Sequence, residues 1–192
     1  MKLVFATANQ NKAKEIQSLI PDSIRILSLN DIDCTEDIPE TQPTIEGNAS
    51  QKAFYVYENY NNNCFADDTG LEIEALDGRP GVLSARYAGE AKNADDNMKK
   101  ILLEMQDVTN RKARFKTVIS LVIDGKEELF EGVVNGTILT QKRGEKGFGY
   151  DPIFQPEGSD KTFAEMDLDE KGKISHRGIA VAKLVAYLSA LK

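Results

Sequence analysis

Residues 3–12 read Leu3-Val4-Phe5-Ala6-Thr7-Ala8-Asn9-Gln10-Asn11-Lys12, and the stretch after them carries Ile16, Leu19 and Ile20 before Pro21. The apolar run Leu3 to Ala6 suits a buried strand. Thr7 to Asn11 suits a polar loop, and apolar residues three and four apart suit a helix that Pro21 stops. Strand, loop and helix in that order open an α/β unit. Working outward, Ile24 to Leu27 is expected to form a second strand, and residues 33–46, acidic and with two prolines, an irregular loop. A helix is expected from about Asn48 to Tyr60, burying Ala49, Ala53, Val56 and Tyr60 and ending at Asn61-Asn62-Asn63. Cys64-Phe65-Ala66 reads as a short strand running into Asp67-Asp68-Thr69-Gly70, whose residue types also suit a turn. Leu71, Ile73 and Ala75 then alternate with Glu72 and Glu74, a strand with one wet face. After a Gly/Pro-rich loop at 77–92, Asn93 to Met105 suits a helix with Asp95 and Asp96 in its first turn. Asp124-Gly125 between Phe115–Ile123 and Glu127–Val134 predicts a hairpin, with a further strand at Thr137 to Thr140. The last helix should run from about Ser175 to Leu191. A hairpin beside an α/β opening implies a mixed sheet, and 192 residues suit a single domain, 1–192.

Composition narrows the function classes. The chain has 31 acidic against 24 basic side chains, a net charge of −7 that poorly matches a nucleic-acid coat. No apolar stretch is long enough to span a bilayer, and Met1 to Ala6 is too short for a signal-peptide core. No nucleic acid and no membrane are therefore expected as partners. Cys34 and Cys64 give neither a disulfide framework nor a CxxC clamp, which makes a cytoplasmic setting the expectation. His176 is the single histidine and excludes any zinc site needing two imidazoles.

Four stretches could carry chemistry. The loop Thr7 to Lys12 enters a helix, where free N–H groups and the positive dipole end can seat a phosphate. Lys12 opposes that dipole in the isolated helix, and a bound anion would reverse the penalty. It lacks the glycines of a Walker loop. Asp67 and Asp68, adjacent at the end of a buried strand, repel each other and call for a divalent cation or a basic partner. Arg143 to Pro152 is glycine-rich, with Phe148 offering a ring face to a base. Ser175-His176-Arg177-Gly178 sits where the last helix begins, with Arg177 as a fork of donors. Taken singly, each also fits a bland account: a capped helix, a turn, a surface loop, a structural histidine.

Together these pieces resemble the inosine/xanthosine triphosphate pyrophosphatase family. The match runs along the chain in order: Thr7-x-Asn9-x-x-Lys12, Glu40, Asn48-Ala49-x-x-Lys52-Ala53, and Ala66-Asp67-Asp68-Thr69-Gly70-Leu71. Then follow Pro80-Gly81-Val82-x-Ser84-Ala85-Arg86-Tyr87, Gly147-Phe148-Gly149-Tyr150-Asp151-Pro152 and Ser175-His176-Arg177-Gly178. The resemblance implies Mg-dependent hydrolysis of inosine, deoxyinosine and xanthosine triphosphates to the monophosphate and pyrophosphate. It also implies an elongated two-lobed α/β domain around a long, mixed, twisted β-sheet flanked by helices, the nucleotide in the cleft between the lobes, and a homodimer.

Carried over by position, Thr7, Ala8, Asn9, Gln10, Asn11 and Lys12 would bind the triphosphate. Asp68 would hold the magnesium and activate water, with Glu40 as a second metal ligand. Lys52 and Lys171 would contact phosphates. Thr69, Phe148, Gly149, Tyr150, Asp151, His176 and Arg177 would line the nucleotide. Two positions depart from the pattern: Ala8 stands where the family commonly has glycine, and Gly47 where a glutamate is often found, which shifts its load to Glu46 or Glu40. Rivals are a nucleotide sensor without catalysis, a structural interaction domain, and a pyrophosphatase preferring pyrimidine nucleotides.

Overall fold

The computed structural model describes residues 1–191. In chain order it contains β1 (Lys2–Phe5), α1 (Gln10–Leu19), β2 (Arg25–Leu27), α2 (Ile45–Tyr60), β3 (Cys64–Ile73) and β4 (Pro80–Gly81). There follow α3 (Ala94–Glu104), β5 (Lys112–Ile123), β6 (Lys126–Ile138), β7 (Phe154–Pro156), α4 (Leu168–Ile174) and α5 (His176–Ala190). The strands form one sheet in the order β2-β1-β3-β5-β6-β7, with β4 paired to β3. β1 is parallel to β2 and β3, whereas β3–β4 and β6–β7 are antiparallel. The sheet is mixed, as the opening unit and the hairpin together imply.

The chain divides into two compact units. The first comprises Met1–Asp68, Thr117–Gly132 and the chain from Arg177 onward. Here β1 alternates strictly, as a strand must. Leu3 and Phe5 face a core with Ile16 and Ile20 of α1 and Ala180, Val181, Leu184 and Leu188 of α5. Val4 and Ala6 face the opposite core with Ala53 and Val56 of α2. β3 obeys the same rule: Phe65 joins the α1/α5 side and stacks on Phe5 at 4.7 Å between centroids, while Cys64 and Ala66 join the α2 side. Burying both faces explains why these strands read as unbroken apolar runs. Both cysteines are free and buried, and burial pushes the Cys64 thiol up to about 12.

The second unit comprises Thr69–Lys116 and Val133–His176. Its core gathers Leu71, Ile73, Met98, Ile101, Phe115, Ile138, Phe154 and Phe163. Phe115 meets Phe154 edge-on at 4.7 Å.

Several expectations need correction. Asp67-Asp68-Thr69-Gly70 is not a turn: β3 runs through it without a break. The wet-face alternation ends at Ile73, after which a short 3-10 turn buries Leu76 and leaves Ala75 exposed. Thr137–Thr140 is not a separate strand, because β6 continues to Ile138. The second helix starts at Ile45, where Thr44 accepts the N–H of Gly47, and Tyr60 is half-buried with its hydroxyl donating to Glu36. Asn61 ends that helix at φ +50°, and Asp124 and Gly125 take φ +50° and +76° in the hairpin turn. The helix α4 was not foreseen.

Candidate active site

Period two in β3 sends Asp67 and Asp68 to opposite faces of the sheet. Asp67 follows Phe65 to the α1/α5 side, where Lys12 of α1 stands 3.1 Å from its Oδ2 and Arg177 of α5 donates to the same oxygen from Nε and Nη2 at 3.2 Å. Asp68 follows Ala66 to the α2 side, with Oδ1 3.6 Å from Nζ of Lys52. Asp67 is thus met by cations of α1 and α5 and Asp68 by a cation of α2, which offsets the repulsion expected of adjacent aspartates.

Lys12 reaches the strand because Asn9 caps α1, its Oδ1 accepting from the N–H groups of Asn11 and Lys12. Thr7 Oγ1 accepts the N–H of Asn9. Ala8, Asn9, Gln10 and Asn11 lie exposed at the entry to the helix. The anion that offsets Lys12 in the first turn is Asp67 itself, through its carboxylate and its main-chain oxygen at 3.5 Å. Lys52 projects from the buried face of α2 and also pairs with Glu40, whose side chain remains 36% exposed. The segment before α2 is tied down by Gln42 N–H to Asn48 Oδ1 and by Thr41 N–H to Gln51 Oε1, both 2.9 Å.

The titration behaviour follows from this crowding. Burial raises the pKa of Asp67, but Lys12, Arg177 and Lys52 outweigh it and hold the carboxyl well below the usual carboxylate range. Asp68 goes the other way: burial is the largest effect, Glu40 and Asp67 add to it, and Lys52 and Lys12 only partly compensate. Burial disfavours the Lys12 ammonium, with Lys52 and Arg177 adding repulsion. For Lys52 burial is overcome by Asp68, Glu40 and Asp67, so its pKa is raised. Asp68 Oδ2 is buried and has no hydrogen-bond partner.

The other expected site residues gather in the second unit. Asp151 Oδ2 accepts from the N–H of Phe148 at 2.8 Å and from Nζ of Lys171 at 2.6 Å. Lys171 Nζ also lies 4.9 Å from the centroid of the half-exposed Phe148 ring. Gly147, at φ +71°, sits so close that a Cβ there would fall 2.1 Å from Asp151 Oδ2. Gly149 is half-buried, and the buried Tyr150 donates to the main-chain oxygen of Ser84 at 2.6 Å. His176 is 3% exposed and stacks on Phe115 at 4.5 Å. Thr69 is half-buried in β3. Lys171, expected to meet phosphates, is 4% exposed, and Arg177, expected to line the nucleotide, is 1% exposed and turned onto carboxylates.

The protein-family model described as the Ham1 family matches residues 3–187. The chain belongs to the Ham1 family. It is similar to a dITP/XTP pyrophosphatase of Flavobacterium johnsoniae, 60% identical over 192 residues that cover 100% of both chains. A dITP/XTP pyrophosphatase of Flavobacterium psychrophilum is also 60% identical, over 97% of this chain and 98% of that one. Among solved structures, the Staphylococcus aureus Ham1 protein superposes with a TM-score of 0.91 at 40% identity, over 100% of each chain. Within this Ham1 chain the sequence did not point to Glu15, whose carboxylate pairs with Nη1 of Arg177. The available signal was its place three residues after Lys12, on the same side of one helix. Nor did it give a role to Asn97, which binds the main chain of Ala85 and Ala88.

Proposed function

We propose that this chain hydrolyses inosine, deoxyinosine and xanthosine triphosphates to the monophosphate and pyrophosphate, with magnesium, and so clears them from the nucleotide pool. Supporting this are its Ham1 membership and one observation above all. A chain of net charge −7 gathers Lys12, Lys52 and Arg177 around two buried aspartates. An acidic protein can hold a polyanionic tail only by concentrating cations locally.

The donor set fits magnesium, which takes oxygen ligands and one or two protein carboxylates. Asp68, with its buried and unsatisfied Oδ2, and Glu40, close enough to raise the Asp68 pKa, would hold it. No group of three His, Cys, Asp or Glu that could cage a metal occurs among the described residues. When bound, magnesium neutralises charge on the phosphate oxygens.

Asp68 acts as the base. It takes a proton from water as the water oxygen bonds to the α-phosphorus; the P–O bond bridging the α and β phosphates breaks, and pyrophosphate leaves with the electron pair. Lys12 and Lys52 hold the phosphates, with the exposed Ala8–Asn11 entry to α1 supplying further donors. For the purine, Phe148 offers a ring face and the Gly149 turn a main-chain donor. A donor there suits the six-oxygen of hypoxanthine and xanthine and faces the adenine amino group donor to donor, a mismatch worth several orders of magnitude. We place the enzyme in the cytoplasm as a homodimer; no described helix is long and apolar enough to cross a membrane.

The test is a panel of inosine, deoxyinosine, xanthosine, adenosine, guanosine and pyrimidine triphosphates, with and without magnesium, scored for pyrophosphate. The expected result is release from the first three only with magnesium. Binding without release would favour a sensor, and faster pyrimidine turnover the rival specificity.

A further inference from the structure

Glu15 lies in α1 with 7% of its surface exposed and pairs with Nη1 of Arg177, which is 1% exposed. Arg177 in turn places Nε and Nη2 on a single oxygen, Asp67 Oδ2, each at 3.2 Å. That oxygen also carries the Lys12 ammonium at 3.1 Å. All four side chains belong to the first unit.

A lysine that meets a phosphate has to leave the partner it holds beforehand. Here that partner is a carboxylate of zero exposure, and stripping the counter-charge from a buried carboxylate is strongly unfavourable. The guanidinium removes this obstacle, because its rigid fork keeps two donors on Oδ2 after the ammonium departs. The fork can do so only if it is held in that plane and its own charge is balanced. Glu15 does both from the far side of the guanidinium.

We propose that Glu15 is a positioning residue: by fixing the Arg177 fork on Asp67 it allows Lys12 to exchange Asp67 for a phosphate, which rests on Lys12 binding polyphosphate as set out above. The ammonium moves, no covalent bond changes, and Glu15 itself never touches the substrate.

The test is calorimetric affinity for inorganic tripolyphosphate, which has the phosphate charge but neither base nor ribose, measured on wild type, Glu15→Gln, Lys12→Ala and the double variant. Glu15→Gln keeps the shape and loses the charge. It is expected to weaken binding about tenfold, Lys12→Ala by a similar factor, and the double variant by no more than about threefold beyond Lys12→Ala alone, since coupled residues are not additive. A structural role would instead multiply with the Lys12 effect. Wild-type affinity in Glu15→Gln, or multiplying effects, would overturn the proposal. Should Glu15→Gln fail to fold by circular dichroism, Arg177→Lys, which keeps the charge but not the fork, takes its place with the same expected losses and the same overturning results. Equal binding by wild type and Lys12→Ala would overturn the phosphate role of Lys12 and this role of Glu15 with it. A loss confined to Lys12→Ala overturns the Glu15 role alone.

Discussion

Lys52 stands between Asp68, 3.6 Å from its Oδ1, and Glu40, and substitutions of Asp68 and of Lys52 are expected to act differently. Asp68→Asn keeps the shape of a side chain whose charge is opposed chiefly by burial. It should therefore leave the melting temperature unchanged or raise it, while lowering turnover on inosine triphosphate by about 100-fold or more and nucleotide affinity by less than about threefold. Steady-state kinetics with calorimetry checks this, and an unchanged turnover number removes Asp68 from the mechanism. Lys52→Met leaves Asp68 and Glu40 without their cation. Breaking a buried pair by removing one partner costs about 3–5 kcal/mol, and this loss should fall at the lower end because Glu40 is still partly solvated. Urea denaturation measures it. Lys12 and Asp68 stood out by residue type, whereas Lys52 and Glu40 entered only through the family resemblance; the structure brings Lys52, Glu40 and Asp68 together. Glu15 did not stand out, because its partner Arg177 lies 162 residues away and nothing local marks a helix carboxylate as buried.

At the scale of elements, α2 and the segment before it are locked by the absence of a side chain. A Cβ on Gly47 would stand 2.8 Å from Gln42 Cβ, in a segment pinned by the Gln42–Asn48 hydrogen bond. Gly47→Ala should thus destabilise by about 1 kcal/mol, the overpacking exceeding the helix-propensity gain. It should also speed amide exchange at Thr41 and Gln42, read by hydrogen–deuterium exchange. In the second unit Glu165 accepts from Arg143 at 2.7 Å and from the N–H of Thr162 at 2.7 Å. These contacts hold its carboxyl at about 2, the Arg143 hydrogen bond being the largest cause. A depressed carboxylate stabilises above its unfolded pKa, roughly 4.3, and that stability is lost as pH falls towards 2. Wild type should therefore exceed Glu165→Gln in melting temperature above about pH 4 and converge with it near pH 2. A gap that persists at the acid end contradicts the assignment. Sequence pattern placed β1, α1, α3 and the hairpin well because their periodicity is local. It left the middle of β3 open between a strand end and a turn, since Asp, Thr and Gly also favour turns; Lys12, Arg177 and Lys52, from α1, α5 and α2, meet the two carboxylates from either side of a continuous strand. It missed α4, where Leu168-Asp169-Glu170-Lys171-Gly172-Lys173-Ile174 has no apolar stripe and leaves Leu168 and Ile174 exposed.

At the scale of the whole molecule, the α/β class and mixed sheet were readable from the alternation of strand and helix patterns. Two lobes followed only from the family resemblance; composition and linkers mark no boundary between the two units, because β3, β5 and β6 each contribute residues to both. Ligand binding offers a global readout. Asp68→Asn with magnesium and inosine triphosphate at 100 times its dissociation constant should gain about 2.7 kcal/mol of stability, seen as a raised melting temperature, and adenosine triphosphate at the same concentration far less. The place of cleavage is tested most directly by hydrolysing inosine triphosphate in oxygen-18 water and weighing the products. Water delivered by Asp68 to the α-phosphorus puts the heavy oxygen in the nucleoside monophosphate and none in pyrophosphate. Label in pyrophosphate, or in single inorganic phosphates released stepwise, would contradict it.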